Sequence, residues 1–105
     1  MNSAVHNKEE LLVRILSARD RILSYGVKHL GIFGSFVRNQ AHAGSDIDFL
    51  VEFYPEHKNF DTFIDLAFFL EQLLGRKVEI VTPQSLSKYI GPRILKEVEY
   101  VSLAA

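Results

Sequence analysis

The fold of this chain is decided by residues 27–53, whose sequence is VKHLGIFGSFVRNQAHAGSDIDFLVEF. Its two ends, Val27–Phe33 and Ile47–Phe53, are rich in β-branched and aromatic residues and predict two short strands. Between the strands, Gly34 and Ser35 predict a turn that leads into a short helix, and the small, polar residues 39–44 predict a loop. The turn and the start of the second strand are therefore joined by only a few residues.

The rest of the chain predicts helices around a small sheet. Apolar residues recur at helical spacing in two amphipathic segments, which end at Gly26 and Gly75 and span residues 8–25 and Phe60–Leu74. A third strand and two short helical pieces are predicted at residues 77–81, 85–89 and 92–97. The predicted fold is α+β, a small mixed β-sheet with helices packed on it, in a single domain that spans residues 1–105.

The helix predicted at Phe60–Leu74 carries more apolar residues than one buried face needs. Its predicted core face consists of Phe60, Phe63, Ile64, Ala67, Leu70 and Leu74. A second apolar stripe consists of Leu66, Phe69 and Leu73. Such a stripe is either buried inside the domain or used as a contact surface, for a partner protein or for self-association.

Composition excludes several classes of function. Twelve Lys and Arg against thirteen Asp and Glu give a net charge of −1, so no global basic field attracts long nucleic acid. The chain has no cysteine, which excludes disulfides and thiolate metal sites. The polar start lacks the apolar core of a signal peptide, and no run approaches the roughly 20 apolar residues that cross a bilayer. We therefore expect a cytoplasmic protein that does not enter a membrane.

Three carboxylates are candidates for a metal site. Asp46 and Asp48 are two apart on a predicted strand, so both project to one side, where a divalent cation would relieve their repulsion. Oxygen ligands of this kind suit Mg²⁺ or Mn²⁺. Glu79 lies mid-strand, opposite apolar neighbours, and converges with the aspartates if the two strands are adjacent. The alternatives are a pair of exposed acids beside Ser45 and a glutamate in solvent on an edge strand.

The Gly-Ser turn is a candidate phosphate site. Glycine lets the backbone approach a ligand closely, and the Ser35 hydroxyl and the N–H groups that follow it at a helix start can donate to phosphate oxygens. Arg38 could reach the same phosphates, or it could form a structural salt bridge. Ser45, next to the first aspartate, is a further candidate for nucleotide binding. For Gly34 and Ser35 the alternative is a plain turn between two elements.

Gly-Ser-x-x-Arg, then Ser-Asp-x-Asp, then an isolated strand acid resembles the nucleotidyltransferase superfamily that includes DNA polymerase beta. The chain resembles most closely the minimal nucleotidyltransferases (MNT), small antitoxins that pair with HEPN-domain toxins. The resemblance covers residues 8–101, including the segments 78–83 and 92–95.

The resemblance implies a role for each matching residue. It puts Gly34 and Ser35 on the nucleotide phosphates and Asp46 and Asp48 on the metals. Glu79 falls at the position of the third carboxylate, where the family commonly has aspartate. The extra methylene of glutamate shifts that carboxylate by ~1.5 Å, and a misplacement of about 1 Å can cost catalysis 10²-fold.

The activity implied by the resemblance is transfer of AMP from ATP to a tyrosine hydroxyl on a HEPN toxin, with pyrophosphate leaving. One alternative is an antitoxin that only binds its toxin and carries a vestigial nucleotide site. Another is a nucleotidyltransferase that acts on small molecules. The intact acids argue against the first, and the short chain, which leaves little room for a substrate pocket, argues against the second.

Overall fold

The computed structural model describes residues 2–103 of the chain. The helices in that range are α1 Lys8–Ser17, α2 Arg19–Ser24, α3 Phe60–Leu74 and α4 Gly91–Glu97. The strands are β1 Val27–Phe33, β2 Ile47–Phe53, β3 Val78–Val81 and β4 Glu99–Val101. Single 3-10 turns lie at Pro55–His57 and Pro83–Ser85.

The four strands form one mixed sheet in the order β3-β2-β1-β4. β1 pairs antiparallel with β2 and with β4, whereas β2 pairs parallel with β3. The parallel pair is the one connected through α3, because two parallel neighbours need a crossover connection. This architecture confirms the predicted α+β class, with β2 as a central strand.

The two faces of the sheet have different coverings. Alternate residues of β2, among them Ile47, Phe49 and Val51, are fully buried in the main core with side chains of α1 and α3. The opposite face carries Asp48 and is covered by the segment around α4. This second face has a pocket next to acidic side chains.

Gly31 allows the end of α4 to lie directly on the sheet. A Cβ at this position of β1 would overlap the side chain of Val98, which follows α4. Tyr100, the partner of Gly31 on β4, would also be in close contact with it. The glycine therefore sets how closely α4 approaches the face that carries Asp48.

The single helix predicted over residues 8–25 is in fact two helices. Ala18, at φ −114° and ψ 17°, leaves the helical conformation between them. Its N–H donates to the carbonyl of Ile15, and its own carbonyl accepts from the N–H of Ile22, both at 3.0 Å. No glycine or proline marks this break, so the apolar periodicity continues through it and the sequence did not reveal it.

α3 has the predicted ends, and its predicted core face is correct in part, since Leu70 and Leu74 are fully buried. The side chain of Asn59 accepts a hydrogen bond from Thr62 N–H at 2.9 Å, and Gly75 ends the helix at φ 65°. Leu66, assigned to the second stripe, is fully buried in the core, whereas Phe60 is 75% exposed. The prediction was wrong for Phe60 and Leu66 because the helix is rotated on the sheet relative to the assumed face, which periodicity alone does not fix.

Two short predicted helices were also wrong. The residues after Ser35 make a single turn, and the helical piece predicted at 85–89 is replaced by the 3-10 turn Pro83–Ser85. Thr82 and Ser85 form a capping box around that turn, which satisfies its backbone without a longer helix. α4 has Pro92 in its first turn, as predicted.

Over residues 2–103, no helix is long and apolar enough to span a bilayer.

Candidate active site

Asp48 is at the centre of the candidate site. In the register of the sheet it lies opposite Glu79 on β3 and opposite Phe33 on β1. Asp46 precedes β2 by one residue and is exposed. The parallel pairing of β2 and β3 thus makes Asp48 and Glu79 direct neighbours. Asp46, the third predicted acid, lies just before the first residue of β2.

The Gly-Ser turn lies directly against this central acid. Gly34 is buried, has φ 83°, and a Cβ on it would collide with the carboxylate of Asp48. A side chain at position 34 would therefore be strained by its backbone conformation and would displace the acid. Glycine at position 34 is therefore needed to leave space for the Asp48 carboxylate, and it would also let a phosphate approach the backbone.

The turn is closed by its own backbone and leaves Ser35 free. Val37 N–H and Arg38 N–H both donate to the carbonyl of Gly34 at 3.1 Å, and Phe36 is buried beneath the turn. Within residues 2–103, neither the N–H nor the hydroxyl of Ser35 has a hydrogen-bond partner. Both groups remain available to an anionic ligand.

Glu97 joins the site from the end of α4, and sequence reasoning missed it. Its Oε2 accepts from Gly34 N–H at 2.8 Å, and its Oε1 accepts from Arg38 Nη1 at 2.6 Å. Arg38 Nε also donates to Gln40 Oε1 at 3.0 Å. The predicted salt bridge of Arg38 is thus present, but its partner is 59 residues away in sequence and carries no local signal.

The electrostatics of the site favour a bound cation. The pKa of Asp48 is raised from its ordinary value of 3.8 to about 6, first by burial and then by the charges of Glu79 and Asp46, against the opposing charge of Arg38. Ionised Asp48 is therefore destabilised by its surroundings. A divalent cation next to it would remove that penalty.

The donor set of the three acids fits a hard divalent cation. Asp46, Asp48 and Glu79 offer only carboxylate oxygens, the ligands that Mg²⁺ and Mn²⁺ prefer. In the part of the chain that the structure describes, no three acidic or imidazole side chains are already grouped as metal ligands. The acids are neighbours by strand pairing, and a metal would have to draw the carboxylates together.

Arg76 fixes the loop that leads to the aspartates, and it too was missed. Its Nη1 donates to the carbonyls of His42, Ala43 and Ser45 at 2.9, 3.2 and 2.9 Å. Its guanidinium carbon lies 5.2 Å from the ring centroid of Phe36. One side chain therefore ties the loop before β2 to the turn after β1. A lone arginine just after a helix is usually solvated, so no local pattern distinguishes Arg76 in the sequence.

Ser45 has a structural contact in this loop. Its hydroxyl oxygen accepts from His42 N–H at 2.9 Å, and its half-buried backbone carbonyl accepts from Arg76. Its hydroxyl proton is not used in that bond and can still donate to a ligand.

A pocket of about 300 Å³ opens next to the acids. Asp48 and Glu79 form one wall of it. The other walls are mainly apolar and include Phe33, Val81, Leu86, Ile90 and Ile94, with the hydroxyls of Ser85 and Ser87. An apolar cavity with a carboxylate wall suits a ring or aliphatic group that carries a reactive hydroxyl.

Comparison with known proteins agrees with this arrangement. Residues 11–101 match the model of the nucleotidyltransferase domain. The chain is 42% identical over 94 residues to the protein adenylyltransferase MntA of Thermococcus cleftensis, covering 88% of this chain and 94% of the relative.

Two solved structures share the fold. One is described as a minimal nucleotidyltransferase; it has a TM-score of 0.69 and 32% identity, over 84% of this chain and 93% of the other. The second is the complex of a tri-AMPylated HEPN toxin with its MNT antitoxin from Shewanella oneidensis. It has a TM-score of 0.55 over 81% of this chain and 69% of the other, and at 18% identity it supports the fold alone.

Proposed function

The chain belongs to the nucleotidyltransferase domain family, and we propose that it transfers AMP from ATP to a tyrosine hydroxyl of a HEPN-type toxin in the cytoplasm, which neutralises that toxin. The observation that carries this proposal is the contact between the turn and the acids. Asp48 lies against Gly34 on one side and opposite Glu79 on the other. A phosphate chain held on the turn would lie next to the carboxylates.

The free donors of the turn support binding of the phosphate chain. Ser35 contributes its N–H and hydroxyl, and Arg38 keeps its Nη2 donors while Nη1 and Nε are held by protein groups. The hydroxyl proton of Ser45 is a further donor at the other side of the site. These donors hold the β- and γ-phosphates and orient the α-phosphate towards Asp48.

The transfer step is an in-line displacement at the α-phosphorus. The acceptor oxygen forms a new O–P bond as the bond to pyrophosphate breaks, and the hydroxyl proton passes to a carboxylate of the site. Asp48 and Glu79 line the pocket, and Glu79 is in place to take this proton from an acceptor held there. When bound to Asp46, Asp48 and Glu79, Mg²⁺ or Mn²⁺ supplies Lewis-acid stabilisation of the charge on the phosphates.

The pocket next to the acids supports an aromatic acceptor. Its apolar walls, such as Phe33 and Ile94, can contact the faces of a phenol ring. Asp48 and Glu79 then lie where the hydroxyl would be presented. The name of the relative from Thermococcus cleftensis supports a protein acceptor. The fold shared with the MNT antitoxin of Shewanella oneidensis, whose HEPN toxin is AMPylated, is the reason to test a HEPN toxin as the partner.

The test is incubation of the protein with labelled ATP, Mg²⁺ and the product of the neighbouring gene. We expect label and the mass of AMP on a tyrosine of that partner, located by tandem mass spectrometry. A matched reaction with the double variant Asp46→Asn and Asp48→Asn should leave the partner unmodified, since it lacks the charges that bind metal but keeps the side-chain volumes.

The parent and the double variant also distinguish AMP transfer to the toxin from the two alternatives, neutralisation by binding alone and transfer to small molecules. If the double variant neutralises the toxin as well as the parent does, the protein acts by binding alone and the proposal fails. If the parent labels no partner but transfers AMP to small hydroxyl compounds, the acceptor class is wrong.

A further inference from the structure

Glu97 holds both ends of the turn that we assign to the phosphates. Its two carboxylate oxygens accept from different groups: Gly34 N–H at 2.8 Å and Arg38 Nη1 at 2.6 Å. Gly34 and Arg38 are the first and last residues of the turn at residues 34–38. A single side chain of α4 therefore spans the turn from outside it.

Both bonds are of the strong, charge-assisted kind. Gly34 is buried, so its N–H would be costly to leave without an acceptor. The side chain of Glu97 is 24% exposed and that of Arg38 is 48% exposed, so the ion pair is only partly screened. Although burial acts to raise the pKa of Glu97, the bonds from Gly34 and Arg38 outweigh it and the pKa is lowered. Glu97 is thus ionised at neutral pH.

Arg38 is held at two points and keeps its remaining donors. Nη1 is bound by Glu97, and Nε is bound by Gln40 Oε1 at 3.0 Å. An unrestrained arginine loses considerable side-chain entropy when it binds a phosphate, whereas one already held loses less. The turn and the guanidinium are therefore prearranged before any ligand arrives.

We propose that Glu97 is a positioning residue of the nucleotide site, which clamps the 34–38 turn and aims Arg38 so that a triphosphate meets donors already in place. This inference rests on the proposed function, because it assigns the same turn to the phosphates. It adds a fourth carboxylate to the site, one that acts through Arg38 and not on a metal.

The inference is tested by measuring the affinity for α,β-methylene-ATP in the presence of Mg²⁺. This analogue resists cleavage between the α- and β-phosphates, where the bond breaks when AMP is transferred. Glu97→Gln keeps an oxygen for Gly34 N–H but loses the charge that holds Arg38. We expect this variant to bind about tenfold more weakly by titration calorimetry. Arg38→Gln should lose a similar factor. The double variant should be no weaker than Arg38→Gln, because glutamine keeps the bond to Gly34 N–H and the lost charge acts only through that arginine.

Glu99→Gln is the matched control. It makes the same change of charge two residues away, at a glutamate that pairs with Lys8 at 3.0 Å and not with the turn. Its affinity should stay within about twofold of the parent, as expected for an exposed pair. Thermal unfolding of each variant shows whether it is folded, and the packing of Val98 against Gly31 should keep α4 attached without Glu97.

Each other outcome overturns the inference in a different way. Tighter binding by Glu97→Gln would make Glu97 a competitor that occupies the phosphate site. If the double variant binds the analogue about a hundredfold more weakly than the parent, the two tenfold losses of affinity are independent. Glu97 would then have a role that does not involve Arg38. Unchanged affinity in Glu97→Gln, with normal binding by the parent, refutes the clamp alone. A parent that does not bind the analogue overturns the proposed function, and the clamp with it.

Discussion

Replacing Asp48 by asparagine should stabilise the metal-free protein while it abolishes transfer. Asparagine has nearly the shape of the protonated aspartate but carries no charge next to Glu79. Raising the pKa of Asp48 from 3.8 to about 6 corresponds to about 3 kcal/mol between its two forms. Because the side chain is only half-buried, solvent screening reduces this, and we expect Asp48→Asn to gain about 1.5 kcal/mol in free energy of unfolding at pH 7.5.

The pH dependence follows from the sign of this shift. Since the pKa is higher in the folded protein, folding binds a proton between pH 3.8 and about 6, and stability is lost as the pH rises through that range. Asparagine does not titrate, so the gain in free energy of unfolding of Asp48→Asn over the parent is largest above pH 6. This gain should fall to about half or less at pH 4.5. The parent should therefore approach the variant in stability on acidification.

Thermal and urea unfolding in EDTA at pH 7.5 and 4.5 measures the effect. For a domain of this size, a gain of about 1.5 kcal/mol raises the melting temperature by roughly 6–12 °C. Asp65→Asn, at an exposed aspartate of α3, is the matched control and should stay within about 0.5 kcal/mol of the parent. Added Mg²⁺ should stabilise the parent much more than Asp48→Asn. No gain for Asp48→Asn at pH 7.5, or an equal gain at both pH values, would refute the electrostatic reasoning.

Three further substitutions test other parts of the site. Gly34→Ala should lose at least about 1–2 kcal/mol of stability in urea unfolding, from its backbone conformation and the collision with Asp48; parent-like stability would mean that the turn adjusts freely. Glu79→Gln should lower the rate of AMP transfer more than Glu79→Asp, because only the first removes the charge, and equal rates for Glu79→Gln and the parent would assign Glu79 to the scaffold. Arg76→Met keeps an apolar contact with Phe36 but loses the bonds to the loop, so transfer should fall while nucleotide affinity changes less; unchanged transfer kinetics would show that the loop holds its position without Arg76.

The sequence alone determined the elements whose signals are local. Alternation and β-branched residues fixed β1 and β2 at their observed bounds, and apolar periodicity together with Gly75 gave the two ends of α3. Caps and strand periodicity depend on a few neighbouring residues, so they can be recognised without the fold. The family motif likewise lies in a short stretch, which is why the turn and the two aspartates could be chosen as candidates.

Only the tertiary structure decided which distant groups meet. Glu79 faces Asp48 because β3 pairs in parallel with β2, and Glu97 reaches the turn because Val98, just after α4, packs against Gly31. The rotation of α3, which buries Leu66 and exposes Phe60, was likewise set by packing against the sheet. Contacts between residues about 60 positions apart depend on how whole elements pack, and neither a local propensity nor a motif carries that information.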